Sequence, residues 1–68
     1  MEPRLALVSL NARPWARIEV DGRAVGITPL GELPLTLGRH RIRAHLPDGR
    51  RVDRIVQVGV DGLHLIFP

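Results

Sequence analysis

The histidines of this sequence are its most obvious candidates for metal binding. His40 and His45 are five positions apart, and since successive side chains of a strand alternate between its faces, these two could not chelate one ion. His64 stands far along the chain, with Asp61 as its only acidic neighbour. We therefore predict no metal site, and we interpret His40 as a partly buried histidine that is hydrogen-bonded near the start of a strand.

Groups for acid–base or nucleophilic catalysis are equally sparse. Ser9 is the only serine and lies within an apolar segment, and the chain has no cysteine and no Gly-x-Ser-x-Gly motif. Glu19 and Asp21 are the one pair of carboxylates with suitable spacing, but they stand beside a turn among arginines, where acids are usually solvated. Because catalysis needs a base, an orienting partner and a pocket together, we predict that the protein is not an enzyme and uses no cofactor.

A row of arginines is the most distinctive surface feature that the sequence predicts. Arg39, Arg41 and Arg43 alternate with apolar residues, so they project from one strand face at a spacing of about 6–7 Å. Such a row can follow a phosphate backbone or an acidic polymer, or it can be a solvated face with cross-strand partners such as Asp53. Strands that bind nucleic acid usually also carry aromatic side chains for stacking. This face has none, which favours the solvated face.

Trp15 is the second candidate for an interaction surface. It has the parity of an outward side chain, between Pro14 and the inward Ala16. An exposed tryptophan can stack on a sugar ring or anchor a partner, and it can equally cap the open end of a core. We favour the cap.

The charge of the chain has two possible origins. A net charge of +3 comes from ten arginines, without any lysine, against seven acidic residues. Arginine suits phosphate and planar bidentate contacts, which would indicate nucleic acid. A GC-rich genome also replaces lysine by arginine throughout a proteome, and we favour that explanation.

Length and hydropathy restrict the class of protein further. With 68 residues, 44% of them hydrophobic, the chain is expected to form one small, marginally stable domain over residues 1–68. No apolar segment approaches the roughly 20 residues that span a bilayer, and the acidic second residue and short apolar run predict no signal peptide. The lack of cysteine excludes disulfides and favours a module that is supported by a larger protein.

An apolar–polar alternation with a period of two must position these side chains on strands. The first segment is apolar on both faces, so we expect a strand that is covered on both sides or lies at the centre of the domain. Turns every 8 to 12 residues and the lack of any helical period predict an all-β fold, a small antiparallel β-sandwich of about seven short strands, or a small barrel. The predicted strands cover residues 5–11, 15–21, 23–27, 33–37, 39–46, 50–60 and 63–67.

The Asp21-Gly22 pair predicts the first hairpin, because both central residues of a type I′ turn need a positive φ. A two-residue loop there matches apolar with apolar at its inner pairs. The predicted pairs are Val20 with Arg23, Ile18 with Val25 and Ala16 with Ile27.

Glycine, threonine and proline punctuate the following segment. Gly26 within a strand suggests a bulge or a close backbone approach. Pro29 has no N–H to give to a ladder and should end the return strand, while the Thr28 hydroxyl should bond local backbone there. Pro34 places the next strand at a sheet edge, and Gly38 turns the chain into the arginine-bearing strand.

A second hairpin is predicted at residues 47–49. A three-residue loop that contains Asp48, with Gly49 in the left-handed conformation, pairs Ala44 with Val52 and so keeps inward residues opposite each other. Ile55 then falls on the wrong parity, which predicts a bulge near residues 53–54.

Two segments, RPWARIEVDGRAVGITPL and LPLTLGRHRIRAHLPDGR, together resemble the PEGA domain. The resemblance covers residues 5 to about 60 and implies a small β-sandwich module of bacteria and archaea, usually part of a larger protein. Such modules occur on surface-layer and cell-envelope proteins and at the ends of some bacterial protein kinases, and they have no catalytic residue set. The motif residues match turns and strand ends, namely Asp21, Gly22, Gly26, Thr28, Pro29, Gly38, His40, Asp48 and Gly49.

Three functions remain open on these observations. We expect a non-catalytic accessory module that mediates interaction or spacing, with a protein or an envelope polysaccharide as its partner. The first alternative is a small basic domain that binds nucleic acid through Arg39, Arg41 and Arg43. The second is a module that self-assembles through edge strands, since a short sandwich exposes two edges in each sheet.

Overall fold

Seven β-strands arranged as two sheets form the computed structural model, which describes residues 4–67. The predicted all-β fold is confirmed, while the predicted domain limits at residues 1 and 68 lie outside the described residues. No helix capable of crossing a membrane occurs within residues 4–67. The strands are β1 (Leu5–Ala12), β2 (Arg17–Val20), β3 (Arg23–Ile27), β4 (Leu30–Thr36), β5 (Gly38–His45), β6 (Arg51–Val58) and β7 (Leu63–Phe67).

The sheets have the strand orders β4-β1-β7 and β3-β2-β5-β6. Neighbouring strands are antiparallel, as predicted, except that β7 pairs with β1 in parallel. The short turn after β6 does not return β7 along β6. It carries β7 into the other sheet, so β7 lies beside the first strand of the chain.

The core lies between the two sheets and follows the period-two alternation of the sequence. Alternate residues of β1, β2 and β5 turn inward and are buried, as expected for strands with one solvated face. Ile18, Val20, Ile42 and Ala44 are buried in this core, whereas Val25 is only half-buried at its edge.

The outer face of β1 is open, so of the two alternatives predicted for this strand the cover on both sides is wrong, and β1 is instead the central strand of its sheet. Leu5 and Leu7 are 59% and 55% exposed, while Ala6 and Val8 are buried between the sheets. No described strand or loop packs over the outer side of the three-stranded sheet. The apolar residues of this segment therefore serve both the core and an exposed surface.

The first hairpin has the predicted turn but a different register. Asp21 and Gly22 have φ values of 52° and 84°, as a type I′ turn requires, and Val20 pairs with Arg23. The register then shifts, so that Ile18 pairs with Gly26 and not with Val25. An extra residue in β3 causes this bulge, which the glycine at position 26 had suggested.

The shift changes the end of the same hairpin. Ile27 pairs with Arg17, so the predicted pairing of Ala16 with Ile27 is wrong. Ala16 instead exchanges bonds with Thr28, whose backbone N–H donates to the Ala16 carbonyl oxygen at 2.9 Å. β2 thus begins at Arg17, two residues later than predicted.

The second hairpin is confirmed in register and turn. Gly49 has a φ of 92°, and Ala44 pairs with Val52. The bulge predicted near residues 53–54 is absent, since β5 and β6 pair without a shift from Gly38 opposite Val58 to His45 opposite Arg51. Because β6 is an edge strand with a solvated outer face, exposing Ile55 costs less than breaking this ladder.

β4 lies at an edge, as Pro34 predicted, but it begins at Leu30 and not at residue 33. A register shift against β1 between Val8 and Leu10 accommodates the extra residues, and Glu32 adopts a φ of 55° there. The period-two pattern missed this part of the strand because the bulge interrupts its alternation.

Candidate interaction surface

Asp21 joins the first hairpin turn to β5. The Arg41 backbone N–H donates to Oδ1 of Asp21 at 2.9 Å, and Nδ1 of His40 lies 2.5 Å from Oδ2. The Asp21 backbone N–H in turn donates to the Arg41 carbonyl oxygen at 2.8 Å. The backbone bond from Arg41, followed by the bond from His40, lowers the pKa of the Asp21 carboxyl group. Both carboxylate oxygens are therefore used within the fold.

The His40 ring connects the two sheets. Its Nδ1 faces Asp21, and its Nε2 lies 2.7 Å from the Thr36 carbonyl oxygen at the end of β4. Both partners are acceptors, so only the doubly protonated imidazolium can donate to each of them. The bond to Asp21 raises the pKa of His40 against the opposing effect of burial. His40 is thus the buried, hydrogen-bonded histidine that the sequence predicted.

This geometry predicts a pH-dependent stability. The raised pKa of His40 stabilises the fold fully below the ordinary histidine value of 6.5, and this contribution is lost as the pH rises through the folded-state pKa. The lowered pKa of Asp21 also stabilises the fold. This contribution is fully present above the ordinary aspartate value of 3.8 and is lost as the pH falls through the folded-state pKa. We expect a higher melting temperature at about pH 6 than at about pH 9.

Thermal melts of the wild type and a His40→Gln variant across this range isolate the contribution of His40. Every other residue is the same in both proteins, so their contributions cancel in the comparison. The variant should melt at a lower temperature at about pH 6 and lose most of the difference between acidic and alkaline pH. An equal dependence of the melting temperature on pH in the two proteins would contradict the assignment of His40 as a buried imidazolium.

Thr28 holds the open end of the first hairpin. Its hydroxyl oxygen is buried and accepts the Ala16 backbone N–H at 2.9 Å. The prediction that this hydroxyl bonds local backbone is thus corrected, because its partner lies across the hairpin, twelve positions away. Pro29 has no N–H and ends the pairing of the two strands. The bond from Ala16 to the Thr28 hydroxyl takes the place of the next ladder bond.

The predicted arginine row lies on the outer face of the four-stranded sheet, but its members differ in their surroundings. Arg43 is partly exposed, and its Nε donates to Oδ1 of Asp53 at 2.7 Å, in the predicted cross-strand pair. This bond raises the pKa of Arg43 and lowers that of Asp53. Arg39 and Arg41 are exposed, and neither forms an ion pair with another residue of the described chain.

An open groove of about 410 Å³ runs beside these two arginines and is lined by Asp21, Gly22, Arg39, Arg41 and Ile55. Ile55 stands opposite Arg41 in the β5–β6 ladder and is 58% exposed. The groove therefore combines two guanidinium groups with an aliphatic side chain, next to a carboxylate that is already engaged. Such a surface suits a ligand that carries negative charge on a partly apolar frame.

Carboxylates stand among the basic residues at the other end of this face. Nε2 of His45 lies 2.6 Å from Oε2 of Glu19, so Glu19 is not paired with Asp21 as a catalytic dyad would require. Glu19 also stands opposite Arg43 in the β2–β5 ladder. Arg17 and Arg51, which flank His45 in the sheet, are exposed and form no ion pair among the described residues, so the groove, and not unpaired charge alone, distinguishes the Arg39–Arg41 end.

Trp15 does not join the groove. It is 42% exposed and precedes β2, whereas Asp21 follows that strand. Six residues of near-extended chain separate the two positions by about 20 Å. Trp15 is not part of a strand, so the strand start predicted at residue 15 is wrong, while its exposure agrees with the predicted outward side chain.

The parallel pairing of β1 and β7 brings Ser9 beside His64, which the sequence did not predict. Among the described residues no hydrogen bond links the two side chains, and no carboxylate orients the histidine. Within the same residues no three histidine, aspartate or glutamate side chains cluster as metal ligands. No local signal in the sequence marks this contact, because the turn residues after β6 do not specify which sheet β7 joins.

Gly62 is a second position whose role the sequence did not reveal. Its φ is 80°, and a Cβ there would overlap the carbonyl oxygen of Leu7. Its N–H donates to the Gly59 carbonyl oxygen at 3.0 Å, which closes the turn between β6 and β7. The Asp61-Gly62 pair predicted a turn, but only the parallel placement of β7 explains the close approach to β1.

The fold and the site together define a small all-β sandwich with a cationic groove on one outer face. Comparisons of the chain with models of protein families, with curated proteins and with solved structures give no match.

Proposed function

We propose that the chain is a non-catalytic accessory module of the PEGA type, which mediates interaction or spacing within a larger bacterial or archaeal protein at the cell envelope. Support comes from the polar residues that carry the resemblance to this family. Asp21, Thr28 and His40 form their hydrogen bonds with other segments of the module. None of them presents a free base or nucleophile to a pocket, which a catalytic role would need.

A binding role is supported by two guanidinium groups that line the groove and form no ion pair within the described chain. Arg39 and Arg41 are exposed, while Arg43, the third member of the row, is held by Asp53. Holding two like charges beside each other without a counter-ion is unfavourable in the free protein, and an anionic partner relieves it. The proposed partner is therefore a carboxylate-bearing protein segment or polysaccharide.

The make-up of this face favours a carboxylate partner over nucleic acid. Asp21, Asp53 and Glu19 repel a phosphate chain and a carboxylate chain alike, so the difference lies in the bases of nucleic acid, which need stacking partners. No aromatic side chain of the described strands stands on this face to stack a base. Nucleic acid binding through Arg39, Arg41 and Arg43 remains the alternative to be tested.

Binding to polygalacturonate, to polyglutamate and to a DNA oligonucleotide tests the proposal at physiological salt. An Arg39→Gln/Arg41→Gln variant should bind the carboxylate polymers about tenfold more weakly or worse, since a charge-assisted hydrogen bond contributes about 1.5–3 kcal/mol. Because both side chains are exposed, its melting temperature should match that of the wild type.

An Arg17→Gln/Arg51→Gln variant is the matched control. It loses the same number of charges from exposed positions at the other end of β5, where Arg17 and Arg51 flank His45. Its affinity should change little, because exposed charges beyond about 8 Å are screened at this ionic strength. An equal loss of affinity in both variants would mean that binding depends on net charge and not on the groove. Tight DNA binding that only the groove variant abolishes would favour the nucleic acid alternative.

A further inference from the structure

The four edge strands of this sandwich differ in how well they are protected against pairing with another chain. β3 is short and contains a bulge at Gly26, and β4 contains Pro34 and its own register shift. β6 carries Arg51, Asp53 and Arg54 along its length. Bulges, prolines and charges are the devices that keep exposed edges from pairing.

β7 has none of these devices. Its sequence, LHLIF, contains no arginine, lysine, aspartate or glutamate, no proline and no glycine. It pairs with β1 over five consecutive positions without a shift, so its backbone is regular, and its other side has no strand partner in the described chain. A regular, uncharged edge that is rich in β-forming residues is a template for another strand.

The surface next to this edge is also uncharged. The outer face of β1 and β7 carries Leu5, Leu7 and Ile66, each more than half exposed, with Ser9 and His64 between them. The outer face of the other sheet carries arginines, aspartate and glutamate. If another strand paired with β7, the outer faces of the two three-stranded sheets would therefore meet without like charges beside each other.

We propose that a second copy of this chain pairs with β7 in an antiparallel, two-fold arrangement. The sequence of β7 is complementary to itself about Leu65, because this register places Leu63 opposite the second copy's residue 67 and Leu65 opposite its own equivalent. Leu63, Leu65 and Phe67 turn toward the core, and His64 and Ile66 turn outward. Aliphatic and aromatic pairs of this kind stabilise antiparallel ladders.

The two-fold operation makes the same patch serve both copies, as in most homodimers. It joins the two three-stranded sheets into one sheet of six strands and removes both free β7 edges. Arg54 lies over the Phe67 ring, 5.9 Å from its centroid, and so packs on the end of β7 from the other sheet. The proposal is independent of the groove beside Arg39 and Arg41.

Sedimentation of the 68-residue chain over a range of concentrations tests the dimer. An Ile66→Lys variant places a charge on the edge strand and should weaken association tenfold or more. A Leu7→Lys variant makes the same kind of change on the same outer face, but on the central strand, and should associate like the wild type. A monomeric wild type, or a loss caused equally by Leu7→Lys, would overturn edge pairing.

Disulfide trapping tests the register, since the chain has no cysteine of its own. In the proposed pairing, residue 64 of one copy stands opposite residue 66 of the other, at a distance that a disulfide can bridge. A mixture of His64→Cys and Ile66→Cys chains should therefore cross-link more completely than either variant alone. Equal cross-linking in all three samples, or none, would overturn this register.

Discussion

Replacing Ile42 by alanine is expected to lower the free energy of unfolding by about 2–4 kcal/mol. Ile42 is fully buried in the middle of β5, where its backbone pairs with Val20 on one side and Arg54 on the other. The substitution removes three buried carbon atoms and leaves a cavity that neighbouring strands cannot close without breaking their ladders. Urea denaturation followed by circular dichroism measures the loss.

Ile55→Ala is the matched control for this prediction. Ile55 is an isoleucine in the neighbouring strand, but its side chain is 58% exposed on the outer face. Its truncation should change the free energy of unfolding by about 0.5 kcal/mol or less. A loss at Ile55 that equals or exceeds the loss at Ile42 would contradict the assignment of inner and outer faces.

The turns and the alternation were predictable because each depends on a few neighbouring residues. Asp21-Gly22 and Gly49 require positive φ values wherever the chain goes next, so the turn type and the three-residue loop followed from sequence alone. Pro34 likewise restricts its strand to an edge by lacking an N–H. The burial of Ile18 and Ile42 follows from the same local period of two.

The remaining features depend on contacts between distant segments. The bulge beside Gly26 and the shift beside Glu32 each cost a ladder bond, which local pattern cannot weigh against packing elsewhere. Ile55 led to the prediction of a bulge that is absent, because an apolar residue whose parity points it outward can simply be exposed on an edge strand. The parallel placement of β7 beside β1 has no local signal at all.

The candidate site was predictable only as a list of residues. The sequence placed Arg39, Arg41 and Arg43 on one face, but the different fates of Arg43 and its two neighbours follow from cross-strand partners. The contact between Asp21 and His40 joins two segments that are nineteen positions apart, and it needs the β2–β5 pairing to form. Position in the sheet therefore decides which polar groups are left for a partner.

Replacing Gly62 by alanine is expected to destabilise the domain by about 2–5 kcal/mol. A positive φ costs an L-residue about 1–2 kcal/mol, and the overlap of its Cβ with the Leu7 carbonyl oxygen adds about 1–3 kcal/mol, as overpacking does elsewhere. The carbonyl belongs to the central strand of its sheet, so it cannot move aside without disturbing the pairing of β1 with β4 or β7. In so small a domain this loss should leave much of the chain unfolded.

Gly49→Ala separates the two contributions to that loss. Gly49 has a φ of 92°, close to that of Gly62, but a Cβ there meets no atom within 4 Å. Both substitutions also restrict the unfolded chain to the same degree, so this effect cancels between them. Urea denaturation in the presence of sucrose keeps a folded baseline for the weaker variant. Gly62→Ala should be the less stable by about 1–3 kcal/mol. Equal stabilities would mean that the turn after β6 does not press against Leu7, and would remove the main support for placing β7 in parallel beside β1.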